Sequence, residues 1–221
     1  MKRSILFTIG ALAIALAGAT TARADNERLK NAAIVLNDMT ASVDTGIPQS
    51  LLAKAQCIVI IPGVKKAALG VGGQYGRGYI SCRGGSGWSA PGGIRIEGGS
   101  FGLQIGGSDT DVILLVLNQR GIDRLLSSKF TVGADAAVAA GPIGRQASAQ
   151  TDATMTAEML AWSRSRGVFA GISLQGSTLR EDSSENKELY GREISNKDIV
   201  VNHQVGVPNG AGDLMAALGK Y

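Results

Sequence analysis

Residues 63–107 hold 16 of the chain's 31 glycines. Apolar and polar residues alternate through that stretch in the strand manner. Leu69 to Tyr75, Gly78 to Arg83, Gly93 to Glu97 and Ser100 to Ile105 each read as a strand. Glycine at this density weakens a helix and lets backbones approach closely, so the block constrains the fold toward packed, tightly bent strands. The separators Gly84-Gly85-Ser86-Gly87, Pro91-Gly92-Gly93 and Gly98-Gly99 read as turns. Antiparallel meander or barrel material is the expectation.

Helices are expected around this block. Leu29, Ala32, Ala33, Leu36, Met39 and Val43 make one apolar stripe at helical spacing within 25–43. Pro48 suits the first turn of a short helix over 49–55. Cys57 to Ile61 reads as a buried strand stopped by Pro62-Gly63. Val112 to Leu117 reads as a central strand, with Asn118 capping a helix over 119–128. Strand character returns over 130–140, 159–162 and 167–174, with a turn at 141–144 and Ser163 to Arg166 as a connection. Short helices are expected over 186–190, 196–201 and 208–218. The fold class is α+β: an antiparallel glycine-rich sheet or barrel-like core, an N-terminal amphipathic helix and short peripheral helices.

The N-terminus reads as a secretory signal. Met1-Lys2-Arg3 is basic, Ile5 to Ala19 is apolar, and Ala22-Arg23-Ala24 supplies small residues at the cleavage positions. Export from a bacterial cell to the periplasm is the expectation. The chain carries a net charge of +4. Lys2, Arg3 and Arg23 would leave with the signal and no acid would, so +4 falls to +1. Global charge therefore gives no argument for a nucleic-acid partner. Cys57 and Cys82, an even count in an exported chain, suggest a disulfide between neighbouring strands. Two buried free thiols are the alternative. One histidine and this cysteine spacing fit no metal site, and no cofactor motif is present: Tyr75 stands where a dinucleotide fingerprint needs its third glycine.

Gly98-Gly99-Ser100-Phe101-Gly102 matches G-x-S-x-G, and Asp135, Asp152, Asp198 and His203 follow in hydrolase order. A nucleophile elbow needs a helix directly after the serine. Here Leu103 to Ile105 continues the strand alternation, so Ser100 reads as a sheet residue, and a serine hydrolase is a remote alternative. Charge layout is more informative. From Thr45 to Ile96 there is no acid, while Lys54, Lys65, Lys66, Arg77, Arg83 and Arg95 contribute +6. Residues 181–198 carry a net −3. Such a basic stretch attracts anionic surfaces, at about 1 kcal/mol per basic residue near a charged membrane. The amphipathic helix has two readings, packed on the core or lying on a membrane.

Several segments together resemble the SYLF domain family. They are Trp88-Ser89-Ala90-Pro91, Ser100 to Gly106 with Asp111 following, Gly141 to Arg145, Ser163 to Gly176, Gly72 to Gly76 and Tyr190-Gly191. The resemblance covers about residues 30–200. With the signal read over 1–24 set aside, it implies a SYLF-like domain over 25–205, which leaves a C-terminal tail with a short helix over 206–221. It implies a non-enzymatic lipid-binding module with phosphoinositide-binding and actin-binding members in eukaryotes, in which membranes are bound through a basic amphipathic N-terminal helix and neighbouring basic surface. Carried onto this chain, that surface maps to Arg28, Lys30, Lys54, Lys65 and Lys66, and the acid-free stretch adds Arg77. The implied partner is anionic phospholipid or a membrane surface. A structural or protein-interaction module of the envelope, with a protein partner, is the alternative.

Overall fold

A computed structural model describes residues 26–41, 46–85, 87–132, 138–142, 157–165, 168–169, 174 and 176–221. Along 67–71, 100–108 and 168–169 it describes the backbone alone. The architecture is mixed α+β, a strongly curled half-barrel of eight strands with short helices packed around it. In chain order the elements are α1 (residues 26–40), α2 (Gln49–Leu52), β1 (Cys57–Gly84), β2 (Gly87–Trp88), β3 (Gly92–Val116), α3 (Gln119–Leu125), β4 (Phe130–Thr131), β5 (Val138–Ala140), β6 (Met159–Ser165), β7 (Val168–Phe169), β8 (Thr178–Glu181), α4 (Ser183–Tyr190), α5 (Asn196–Val200) and α6 (Gly212–Leu218).

The glycine block is one antiparallel ribbon rather than a meander of short strands. β1 pairs with β3 from Cys57↔Val116 to Ile80↔Gly92, with register shifts at Ile61/Val64 and Leu69/Val71. Pro62-Gly63 does not stop the strand. It forms a bulge in which Gly63, at φ +56°, donates its N–H to Asp111 Oδ1 at 3.0 Å. Gly98-Gly99 likewise continues β3, pairing with Gln74 and Gly73. Glycine pairs are ambiguous in sequence because they serve a turn and a sharply coiled strand equally well. Of the expected turns, Gly84 to Gly87 is the one that joins two paired strands, β1 and β2.

A 28-residue strand would span about 90 Å if straight. Yet the Cα atoms of Cys57 and Cys82, both in β1, lie 3.9 Å apart and a disulfide joins them. The ribbon therefore doubles back on itself. Where its halves meet there is no room for a side chain: a Cβ on Gly78 would sit 2.0 Å from the Ile60 carbonyl oxygen. The Arg83 N–H donates to the Gln56 carbonyl at 2.7 Å, and its guanidinium donates to the carbonyls of Ala55 and Tyr221 and stacks on Trp88 at 4.4 Å. One of the six basic residues of the acid-free stretch is thus a clamp on the closed ribbon.

Both faces of the ribbon are covered. Cys57, Val59, Ile61, Val112, Leu114 and Val116 point into the curl, against Ile80, Ile94, Ile96, Phe130 and Leu179. Ile58, Ile60, Ile113, Leu115, Leu160 and Trp162 point out, against Leu29, Ala32, Leu36 and Met39 of α1 and Leu214 and Leu218 of α6. Burial on both faces accounts for the unbroken apolar run at 112–116. It also answers the two readings of the first helix: in this structure its stripe packs on the core. Val43 lies outside the described residues.

β6 pairs with the far end of β3, and β8 with Ile94–Glu97 of β3. Ser163 to Ser165, expected as a connection, are paired residues of β6. β8 was not anticipated, because four residues with charges at two positions carry little strand signal. Asn118 caps α3 by accepting from the Gly121 N–H, as its position suggests. The expected turn at 141–144 and strands at 130–140 and 167–174 fall partly, and the expected signal over 1–24 wholly, outside the described residues.

Two outcomes test this closure. Replacing Cys57 and Cys82 by alanine is expected to cost about 3 kcal/mol in urea unfolding, the entropy of a 25-residue loop; peptide mapping without reductant should recover the 57–82 link. Gly78→Ala is expected to destabilise by about 3 kcal/mol or more, because its Cβ meets rigid backbone.

Candidate binding groove and its charged wall

Helix α1 crosses the bend of the ribbon and leaves an open groove beside it, of about 560 Å³. One wall is the α1 face carrying Glu27, Arg28, Asn31, Ile34 and Val35. The other is formed by Pro62, Gly63, Lys65, Tyr75, Gly76 and Arg77 of β1, with Asp109, Asp111 and Arg164 closing one end. Ile34 and Tyr75 stand out from the rim at 53% and 50% exposure.

The charges along this groove are arranged in pairs. Arg28 pairs with Glu185, a carboxylate only 1% exposed. Arg77 reaches Asp182 Oδ2 at 2.5 Å and Glu185 Oε2 at 3.2 Å, and Tyr79 donates its hydroxyl to Glu185 Oε1. Ser184 donates to Asp182 and accepts from Arg77. Burial alone would raise the Asp182 carboxyl, but the hydrogen bonds from Arg77 and Ser184 outweigh it and hold it below the ordinary carboxylate range. Burial and the neighbouring Glu185 both push the Tyr79 phenol up, so it stays protonated and donates. At the other end, Arg164 bridges Asp38 of α1 and Asp111 of β3 at 3.2 and 3.1 Å. Lys65 faces Asp109 across the ribbon at 3.2 Å, with both side chains largely exposed.

Of the basic residues singled out in the sequence, Arg28, Lys65 and Arg77 line this groove; Lys30, Lys54 and Lys66 do not. Lys30 and Lys54 are exposed, on α1 and just past α2. Lys66 is half-buried, and loss of solvent lowers its pKa. Asp182, Glu185 and Arg164 were missed. A clue existed in the opposite signs of residues 45–96 and 181–198, which the fold brings together through Arg77.

The hydrolase alternative finds no elbow here. β3 runs from Gly92 through Ser100 to Val116, with Ser100 paired to Gly72, and the next helix begins at Gln119. Asp198 accepts from Ser195, Asn202 and Gln204 around α5. The His203 ring packs over Gly84. Asp135 and Asp152 lie outside the described residues.

A profile of the Ysc84 family, described as Las17-binding protein actin regulator, matches residues 97–221. The chain belongs to this family. The match agrees with the SYLF resemblance read from the sequence. An SH3 domain-containing protein of Schizosaccharomyces pombe is 35% identical over 176 residues, covering 78% of this chain and 40% of that protein. The SH3 domain-containing YSC84-like protein 1 of Rattus norvegicus is 32% identical over 199 residues, 87% of this chain and 58% of the relative. Protein YSC84 of Saccharomyces cerevisiae is 34% identical over 180 residues, 79% of this chain and 38% of the relative. The chain thus spans about half the length of the curated relatives it matches. The family description is that of a regulator that binds a protein, and these names are not enzyme names.

The buried pair sets a pH dependence. A carboxyl whose folded pKa is depressed contributes stability above its unfolded pKa of about 4 and loses it as pH falls through the folded pKa. Asp182→Asn is expected to cost about 2 kcal/mol at pH 7. That difference should shrink below about pH 4, read by urea unfolding at a series of pH values.

Proposed function

We propose that this chain is a non-enzymatic binding module of the bacterial envelope, exported to the periplasm, that engages an anionic phospholipid surface through the rim of the α1–β1 groove. The observation that carries the reading is the composition of that rim. An exposed isoleucine and an exposed tyrosine stand beside Lys65, which is 78% exposed. Apolar and aromatic tips next to a basic side chain suit the boundary between acyl chains and headgroups. Among the described residues no helix is long and apolar enough to cross a membrane, so the contact proposed is peripheral. Because Arg28, Lys65 and Arg77 all have acidic partners, the electrostatic part of the attraction is modest.

A second reading is a protein-interaction module. It is favoured by the family's description as a binder of a protein and by the mixed signs of charge in the groove, which suit a polypeptide partner.

Co-sedimentation of purified protein with phosphatidylcholine vesicles, with and without phosphatidylglycerol, tests the two. Binding to the anionic vesicles is expected, falling with salt. Ile34→Asp with Tyr75→Ser should weaken it about tenfold or more, through lost apolar burial. Lys65→Glu should weaken it by less than that, with the difference from wild type shrinking as salt is raised. Binding to neither vesicle would sink the membrane reading and favour the protein partner.

A further inference from the structure

Strand register places three arginines side by side. Arg77 of β1 faces Arg95 of β3, and Arg95 faces Arg180 of β8. Directly opposed residues of antiparallel strands share a face and lie about 5 Å apart. Like charges in that position repel, so a row of three is expected only where something offsets the repulsion. Arg77 has the buried carboxylates Asp182 and Glu185. Among the described residues Arg95 and Arg180 share a single carboxylate, Glu97, at 2.6 and 4.0 Å. Both Nε atoms are cut off from water, and neither makes an aligned hydrogen bond. Yet the two side chains remain 31% and 39% exposed, so their outer guanidinium edges are open to a ligand. In the next row Tyr75 faces Glu97, which sets the exposed tyrosine of the groove rim beside the arginine row.

We infer that Arg95 and Arg180, with Arg77 at the groove end of the row, form a binding site for a phosphate-bearing anion. Arginine forks match phosphate oxygens in pairs, and adjacent strands hold two forks at a spacing that one phosphate bridges. The site lies outside the residues that carry the membrane reading, except at Arg77, and it deepens that reading by naming the headgroup contact. A phosphate monoester in solution has the same chemistry as a lipid headgroup, so the test must separate the sources.

Titration of ¹⁵N-labelled protein with inorganic phosphate and with glycerol 3-phosphate, followed on the arginine Nε–H signals, is expected to shift Arg95 and Arg180. Arg95→Gln with Arg180→Gln should abolish those shifts, lower affinity for phosphatidylglycerol-containing vesicles about tenfold or more, and leave the melting temperature unchanged or raised. Lys187→Gln with Lys197→Gln removes the same charge from α4 and α5 and should leave binding as it was. Competition between glycerol 3-phosphate and vesicles supports a lipid headgroup as the source. Shifts with soluble phosphates but no vesicle binding support the site, assign it to a soluble ligand, and overturn the membrane reading. Vesicle binding that survives the double arginine substitution, or wild-type signals that do not move with phosphate, overturns the site and leaves the membrane reading to the Ile34–Tyr75 rim.

Discussion

The contact between the Gly78 backbone and the Ile60 carbonyl is the constraint on which the rest of the molecule depends. A ribbon of this length can hide both faces only by folding over, and it can fold over this tightly only where two stretches of β1 meet without a side chain between them. The Cys57–Cys82 bridge and the Arg83 clamp hold that contact from its open end. Once the ribbon is closed, the apolar residues alternating along β1 and β3 divide between an inner core and an outer one. The outer core then needs α1 and α6 to cover it. Helix packing is therefore a consequence of strand closure, and the C-terminal helix is part of the same core as the first one.

Charge pairing fixes what hydrophobic packing leaves free. An apolar stripe can slide or roll by a fraction of a turn with little loss, but Arg28 is held by Glu185 and Asp38 by Arg164, at opposite ends of α1. Glu185 receives Arg28, Arg77 and Tyr79, so one buried carboxylate joins the first helix, the ribbon and α4. Buried ion pairs of this kind contribute little net stability, because desolvation offsets the attraction. Removing one partner is costly, because a charge is then left without an answer in a dry place. Their effect here is to set position: they fix the width of the groove between α1 and β1.

The α1 stripe was legible because its period is unambiguous, and Leu29, Ala32, Leu36 and Met39 are all buried where it places them. The disulfide was legible from two cysteines in strand-like runs. Strand length was not. Pro62-Gly63 and Gly98-Gly99 have turn chemistry, and only tertiary closure turns them into a bulge and coiled strand. The groove was half legible for a similar reason. Lys65 and Arg77 stood out as basic residues of the acid-free stretch and Arg28 through the family resemblance, whereas the carboxylates at 182 and 185 that pair with Arg77 lie more than a hundred residues beyond it in the chain. A sequence shows the sign of each segment; the pairing exists only after the ribbon has brought 77 against 182.

Register explains why the arginine row exists at all. The pairing begins with Cys57 opposite Val116, and if it ran on without a shift Arg77 would face Ile96, a fully buried core residue. Every side chain of the second half of the ribbon would then point the wrong way relative to its partner, since a one-residue slip exchanges the two faces. The bulge at Pro62-Gly63 adds one residue to β1, and the irregularity between Leu69 and Val71 adds two to β3. The net slip of one residue restores the phase, setting Ile80 and Ile96 inward and Arg77 opposite Arg95. The same two irregularities that let the ribbon bend thus decide which residues its outer face presents. They set the exposed Tyr75, the three arginines and the groove under α1 on one continuous surface.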